Sequence, residues 1–83
     1  MIETIEEPIE VLARFDRGTM KPFRFRWNNT VFKIAKVTGS WEDREGQYRR
    51  CHFAVLTETN NYFEMRFHLQ DFSWILSKTS IDA

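Results

Sequence analysis

Eighty-three residues carry twelve basic and twelve acidic side chains, a formal net charge of zero, and one cysteine, Cys51. That excludes an intrachain disulfide, a zinc finger and a polyelectrolyte, and no stretch nears the ~18 apolar residues of a membrane span. Eight Phe, three Trp and two Tyr remain to build the core of a domain so small that its net stability rarely exceeds about 3–5 kcal/mol.

Met1–Pro8 is acidic and lacks the apolar centre of a signal peptide, so residues 1–7 read as a frayed lead-in, the alternative being that Ile2 or Ile5 pairs as an extra strand. Residues 78–83 read as a polar tail, leaving one domain over 1–83 with an ordered core over 8–77. One free thiol suits a reducing compartment, and the expected location is cytoplasmic, away from membranes. The Asn28-Asn29-Thr30 sequon is then accidental.

The first strand is expected over 8–15, with Ile9, Val11, Ala13 and Phe15 on one face. After the loop Asp16–Lys21, a second strand over 22–27 alternates Phe23, Phe25 and Trp27 inward against Arg24 and Arg26 outward. Asn28-Asn29 makes a two-residue hairpin turn, because Asn tolerates positive φ better than other non-Gly residues. A third strand over 30–38 then pairs Trp27 with Thr30, Phe25 with Phe32 and Phe23 with Ile34, which sets Arg24 opposite Lys33. The polar run Trp41–Gly46 reads as a loop.

A fourth strand over 47–57 turns Cys51, Phe53 and Val55 inward, with Tyr48, Arg50, His52 and Ala54 outward. Thr57–Asn61 reverses the chain into a fifth strand over 61–69, with Phe63, Met65, Phe67 and Leu69 inward and Tyr62, Glu64, Arg66 and His68 outward. Pairing Val55 with Phe63 sets Phe53 beside Met65 and Cys51 beside Phe67, so the two inward sets coincide. A sixth strand over 72–77 brings Trp74 inward, while the spacing of Leu69, Phe72, Ile75 and Leu76 also fits a short helical turn over 69–77. About six short antiparallel strands with one apolar face predict an all-β meander, roll or partly open small barrel.

The bases are unevenly spread. Arg14, Arg17, Lys21, Arg24, Arg26, Lys33 and Lys36 follow one another with Asp16 as the only acid among them. Arg24, Arg26 and Lys33, extended by Arg14, form either a row facing phosphates or a solvated face whose charge protects a sheet edge. Because Phe23, Phe25 and Trp27 are expected to point into the core, this row is not read as a stacking platform. On the second outward face Tyr48, Arg50, His52, Arg66 and His68 do place rings and cations on one surface. That arrangement suits phosphate contacts with base stacking, and equally suits ordinary cross-strand pairing.

No enzyme is expected. His52 and His68 have only Glu64 as a third ligand, among arginines that repel a cation, so neither a metal nor another cofactor is anticipated. Cys51 falls in the inward set, where it packs as a small hydrophobe. His68, Asp71 and Ser73 lie close in sequence but lack a nucleophile elbow, and three scattered glycines make no phosphate loop.

Arg24-Phe25-Arg26-Trp27, then Val31-Phe32-Lys33-Ile34 and Trp41, resembles a pattern in small bacterial proteins carrying a domain of unknown function. In that pattern RFRW precedes a short turn, a β-branched and aromatic strand, a Trp and a later aromatic-rich hairpin. The resemblance spans about residues 8–76 and implies proximity to DNA-polymerase components, with no activity or site residue to carry over.

Two functional readings follow. The first is an accessory module that binds, or associates with, single-stranded or duplex nucleic acid. The second is a protein-interaction or homodimerisation module using an exposed sheet edge or an apolar patch, with Leu12, Val31, Tyr62 and Ile75 as outward apolar candidates.

Overall fold

Over residues 1–80, which the computed structural model describes, the chain forms seven antiparallel strands and no helix. They are β1 (Ile2–Pro8), β2 (Glu10–Asp16), β3 (Thr19–Trp27), β4 (Thr30–Glu45), β5 (Tyr48–Thr57), β6 (Tyr62–His68) and β7 (Ser73–Ser80). Their order in the single sheet is β1-β7-β6-β5-β4-β3-β2. The two edge strands, β1 and β2, are separated in sequence only by Ile9, whose N–H donates to the Trp74 carbonyl at 3.1 Å. The sheet must therefore curl until its edges nearly meet. It stays a partly open roll, because β1 pairs with β7 and β2 with β3, and not with each other.

Turn chemistry sets the central register. Asn28 and Asn29 both take positive φ, 55° and 61°, as a type I′ turn requires. Trp27 then pairs with Thr30, Phe25 with Phe32 and Arg24 with Lys33, as the sequence predicts. The expected pairs Cys51–Phe67, Phe53–Met65 and Val55–Phe63 also join β5 to β6. Phe25, Phe53, Val55, Phe63, Met65 and Leu76 make the buried core, with Phe67 also buried and Trp27 and Phe32 half-buried against it. At one end Phe63 lies 5.0–5.1 Å from Phe32 and Phe25; at the other, Trp74 packs between Phe53 and Phe67.

Several expectations are corrected. Residues 1–7 are not a lead-in: β1 pairs with β7 from Ile2–Ser80 to Pro8–Ile75. A bulge between Thr4 and Glu7, with Glu6 at φ 56°, breaks the alternation by which a strand is recognised. Residues 78–80 of the expected tail complete β7, while 81–83 lie outside the described residues. Trp41–Glu45 is the end of β4, not a loop, and it continues through a Gly46-Gln47 turn into β5. Its polar residues are held by partners across the strand pair, not by burial. The helical alternative over 69–77 gives way to a turn, closed by Phe72 N–H to the His68 carbonyl at 2.9 Å, and then β7.

Leu12 pairs with Arg24 and Ala13 with Pro22, so Phe23 is the extra residue of a bulge. Pro22 is buried and has no N–H to give a ladder, and beyond Arg24–Lys33 strands β3 and β4 part. The expected pairing of Phe23 with Ile34 is therefore absent. Phe23 turns outward at 43% exposure, and Phe15, also expected inward, is 72% exposed at the hairpin tip.

Candidate nucleic-acid interface

The two surfaces singled out in the sequence differ in how their charges are balanced. On β5 and β6, Arg50 lies opposite His68 and His52 opposite Arg66, so that face is assembled as expected. Acids from β1 and β4 then close it. Arg50 donates to both Asp43 oxygens, at 2.8 and 2.7 Å, and to Glu45 at 3.2 Å. His52 Nε2 lies 2.9 Å from Asp43, and its ring stacks on Trp41 at 5.2 Å. Arg66 grips Glu6 through two contacts of 2.6 Å and also donates to His68 and Ser77. Tyr48 stands at the end of this face, half-exposed. Phosphates could reach Arg50 or Arg66 only by displacing carboxylates already bound in bidentate geometry.

Those ion pairs leave a mark on titration. Hydrogen bonds from Arg50, then His52, hold the Asp43 carboxyl well below the usual carboxylate range, and Arg66 lowers Glu6 in the same way. A carboxyl depressed on folding stabilises fully above its unfolded value, near pH 4, and that contribution is lost as pH falls toward the native value. Thermal melts should therefore shift downward from about pH 5 to pH 2, and Asp43→Asn should shift less over the same interval. Equal shifts in the two proteins would show that Asp43 is not held by this network.

On β2, β3 and β4 the balance is reversed. Arg14 pairs in register with Lys21, and Arg24 with Lys33, so like charges face each other across neighbouring strands twice. Like charges directly opposite one another are destabilising. Among the described residues Arg14, Lys21, Arg24, Lys33 and Lys36 enter no ion pair, and all five are exposed. Arg26, at the far end of the row, is the exception and pairs with Glu10 at 3.1 Å. Comparison with family models, with curated proteins and with solved structures gives no match to this chain. Its surface carries the functional argument alone.

The bulge adds a ring to that surface. The Arg14 guanidinium lies 5.9 Å from the centre of the Phe23 ring. Where β3 and β4 part, Phe23, Pro22, Ile34, Ala35 and Val37 floor a hollow of about 520 Å³ rimmed by Arg14, Lys21 and Lys36. The sequence reading missed Phe23, Lys21 and Lys36 as site residues, because strict alternation buried the first and left the other two without a common surface. The available signal was Pro22, since a proline inside an apparent strand marks an edge or a bulge.

Proposed function

We propose that this chain is a non-enzymatic, cytoplasmic accessory module that binds nucleic acid through the outer face of β2, β3 and β4. One observation carries the reading. In a chain of zero net charge, the bases on β5 and β6 are matched by acids, while Arg14, Lys21, Arg24, Lys33 and Lys36 are left unmatched on one continuous face. Like-charge cross-strand pairs are a cost to folding, which a polyanion bound across them relieves. The face Tyr48, Arg50, His52, Arg66 and His68 plays a structural part in this reading. Fluorescence anisotropy with labelled single-stranded and duplex oligonucleotides at low salt tests it. Binding should weaken with salt at a log–log slope of roughly −0.7 per phosphate contacted on single strands. No binding at tens of micromolar protein removes the proposal.

A specific observation also favours a protein-interaction role. The open end of the roll is a cleft bounded by Phe15, Met20, Phe67 and Phe72, with Phe15 and Phe72 at 72% and 77% exposure. Beside it, Lys36–Glu45 of β4 pairs with β5 on one edge and, among the described residues, with no strand on the other. Light scattering over a concentration series separates the readings: self-association that Phe72→Ser abolishes supports this second one, and a strict monomer at all concentrations counts against it.

A further inference from the structure

From the hollow between β3 and β4, and resting on the nucleic-acid reading, we infer that the ligand is single-stranded and that one unstacked base lies on Phe23. Three features of the hollow meet the needs of a nucleotide in an unpaired strand. Its floor is apolar, with the half-exposed Phe23 ring as its planar element. Its rim is cationic on both strands, Arg14 and Lys21 on the hairpin and Lys36 on β4. Its volume, about 520 Å³, falls within the roughly 300–1,000 Å³ typical of sites that enclose small organic groups.

Duplex DNA meets only the cations. Each base in a duplex has both faces covered by its neighbours, so a protein ring cannot reach a π-face without unstacking it. A single strand offers those faces freely, and stacking on a ring is tolerant of sequence because every base has one. In the free chain the Arg14 guanidinium occupies the Phe23 face as its cation–π partner. A base laid on Phe23 takes that place, and Arg14 turns to the adjacent phosphate. Lys21, directly across from Arg14, and Lys36 on the opposite rim hold the phosphates to either side. The row then continues along the face through Arg24 and Lys33.

An acidic polypeptide could satisfy the cations but would leave the ring without a planar partner. The discriminating probes are therefore a labelled oligothymidine, the same length of strand made of abasic sites, a duplex of equal length, and polyglutamate. All are titrated against the full chain by anisotropy across a salt series. Oligothymidine should bind roughly 5- to 150-fold more tightly than the abasic strand, the range expected for stacking of one base. Phe23→Ala and Phe23→Leu should abolish that difference while leaving the salt slope unchanged, and Phe23→Trp should retain it. Equal binding of oligothymidine and abasic strands with a normal salt slope leaves the nucleic-acid reading standing and overturns this inference. Equal or tighter binding of the duplex overturns it too. Polyglutamate binding as tightly as oligothymidine points to an acidic protein partner, and absence of binding by every nucleic acid overturns both proposals.

Discussion

Phe63→Ala is expected to unfold the domain. Phe63 is 3% exposed, pairs with Val55 of β5 and Thr79 of β7, and holds three rings from β3 and β4. Phe25 lies 5.1 Å away, Phe32 5.0 Å and Trp27 6.1 Å. Truncating a buried Phe to Ala costs about 3–5 kcal/mol, from lost transfer energy and from the cavity left behind. That equals the whole stability of about 3–5 kcal/mol expected of so small a core. The cavity here would undercut the packing of the β3–β4 hairpin on the rest of the sheet, where neighbours cannot close in from one side alone. Urea titration followed by tryptophan fluorescence checks it. Phe63→Ala should show no cooperative transition, whereas Phe63→Leu, which keeps most of the volume, should keep one. A cooperative transition at the wild-type midpoint for Phe63→Ala would mean that the core lies elsewhere.

Deleting residues 1–8 is the second change with a large expected effect. From the sequence alone, removal of residues 1–6 and 79–83 should change melting little. The structure makes Ile2–Pro8 a strand whose loss leaves one edge of β7 unpaired, though β6 still pairs with the other, and removes the half-buried Ile5 from the core. The deletion also removes Glu6 from Arg66, whose side chain is only 16% exposed, and Glu7 from the Trp27 indole N–H at 3.0 Å. Exposed to solvent at Glu6, the ion pair contributes about 0.2–1 kcal/mol and the hydrogen bond about 0.5–1.5 kcal/mol, and partial burial of an Ile adds about 1 kcal/mol. For a domain of this length, a loss of this size lowers the melting temperature by about 10 °C or more. Glu6→Gln, which spares the strand and weakens only the grip on Arg66, should fall between wild type and the deletion. Unchanged melting after deletion would return residues 1–8 to the status of a lead-in.

Much of the fold was legible because independent signals agreed at particular residues. Asn28-Asn29 demanded a two-residue turn, and the alternation on either side, Phe25 against Phe32, demanded the same register. In β5 and β6 the apolar period alone aligned Cys51, Phe53 and Val55 with their partners. What was hidden was hidden for physical reasons. The end of β4 is stabilised by Glu42 with Arg49 at 2.6 Å and Asp43 with Arg50 at 2.7 Å, and charge pairing across strands has no hydrophobic period to detect. The strand β1 is broken in phase by its bulge at Glu6. Phe23 alternates in sequence like a core residue, but the bulge opposite Leu12 and Ala13 turns it out. The bases of the candidate site were visible as a run; that Arg50 and Arg66 are matched by acids, and Arg24 and Lys33 are not, depends on contacts between residues up to 60 apart in the chain.

Position, rather than amount, of positive charge is the central claim, and a charge-matched pair of variants tests it most directly. Arg24→Gln with Lys33→Gln removes two bases from the β3–β4 face. Arg44→Gln with Lys78→Gln removes two that are likewise free of ion pairs but lie off that face, near the end of β4 and on β7. Arg26 is left in place because Glu10 already balances it. Both variants carry the same net charge, and neither alters the core, so wild-type melting is expected of both, slightly raised in each because Arg24 faces Lys33 and Arg44 faces Arg49 across the strands. Salt-dependent binding of oligothymidine should then separate them. The first variant should bind more weakly and lose about 1.4 from the log–log slope, two contacts' worth, while the second keeps the wild-type slope. Equal losses in both variants, or no loss in the first, would contradict a nucleic-acid interface on this face.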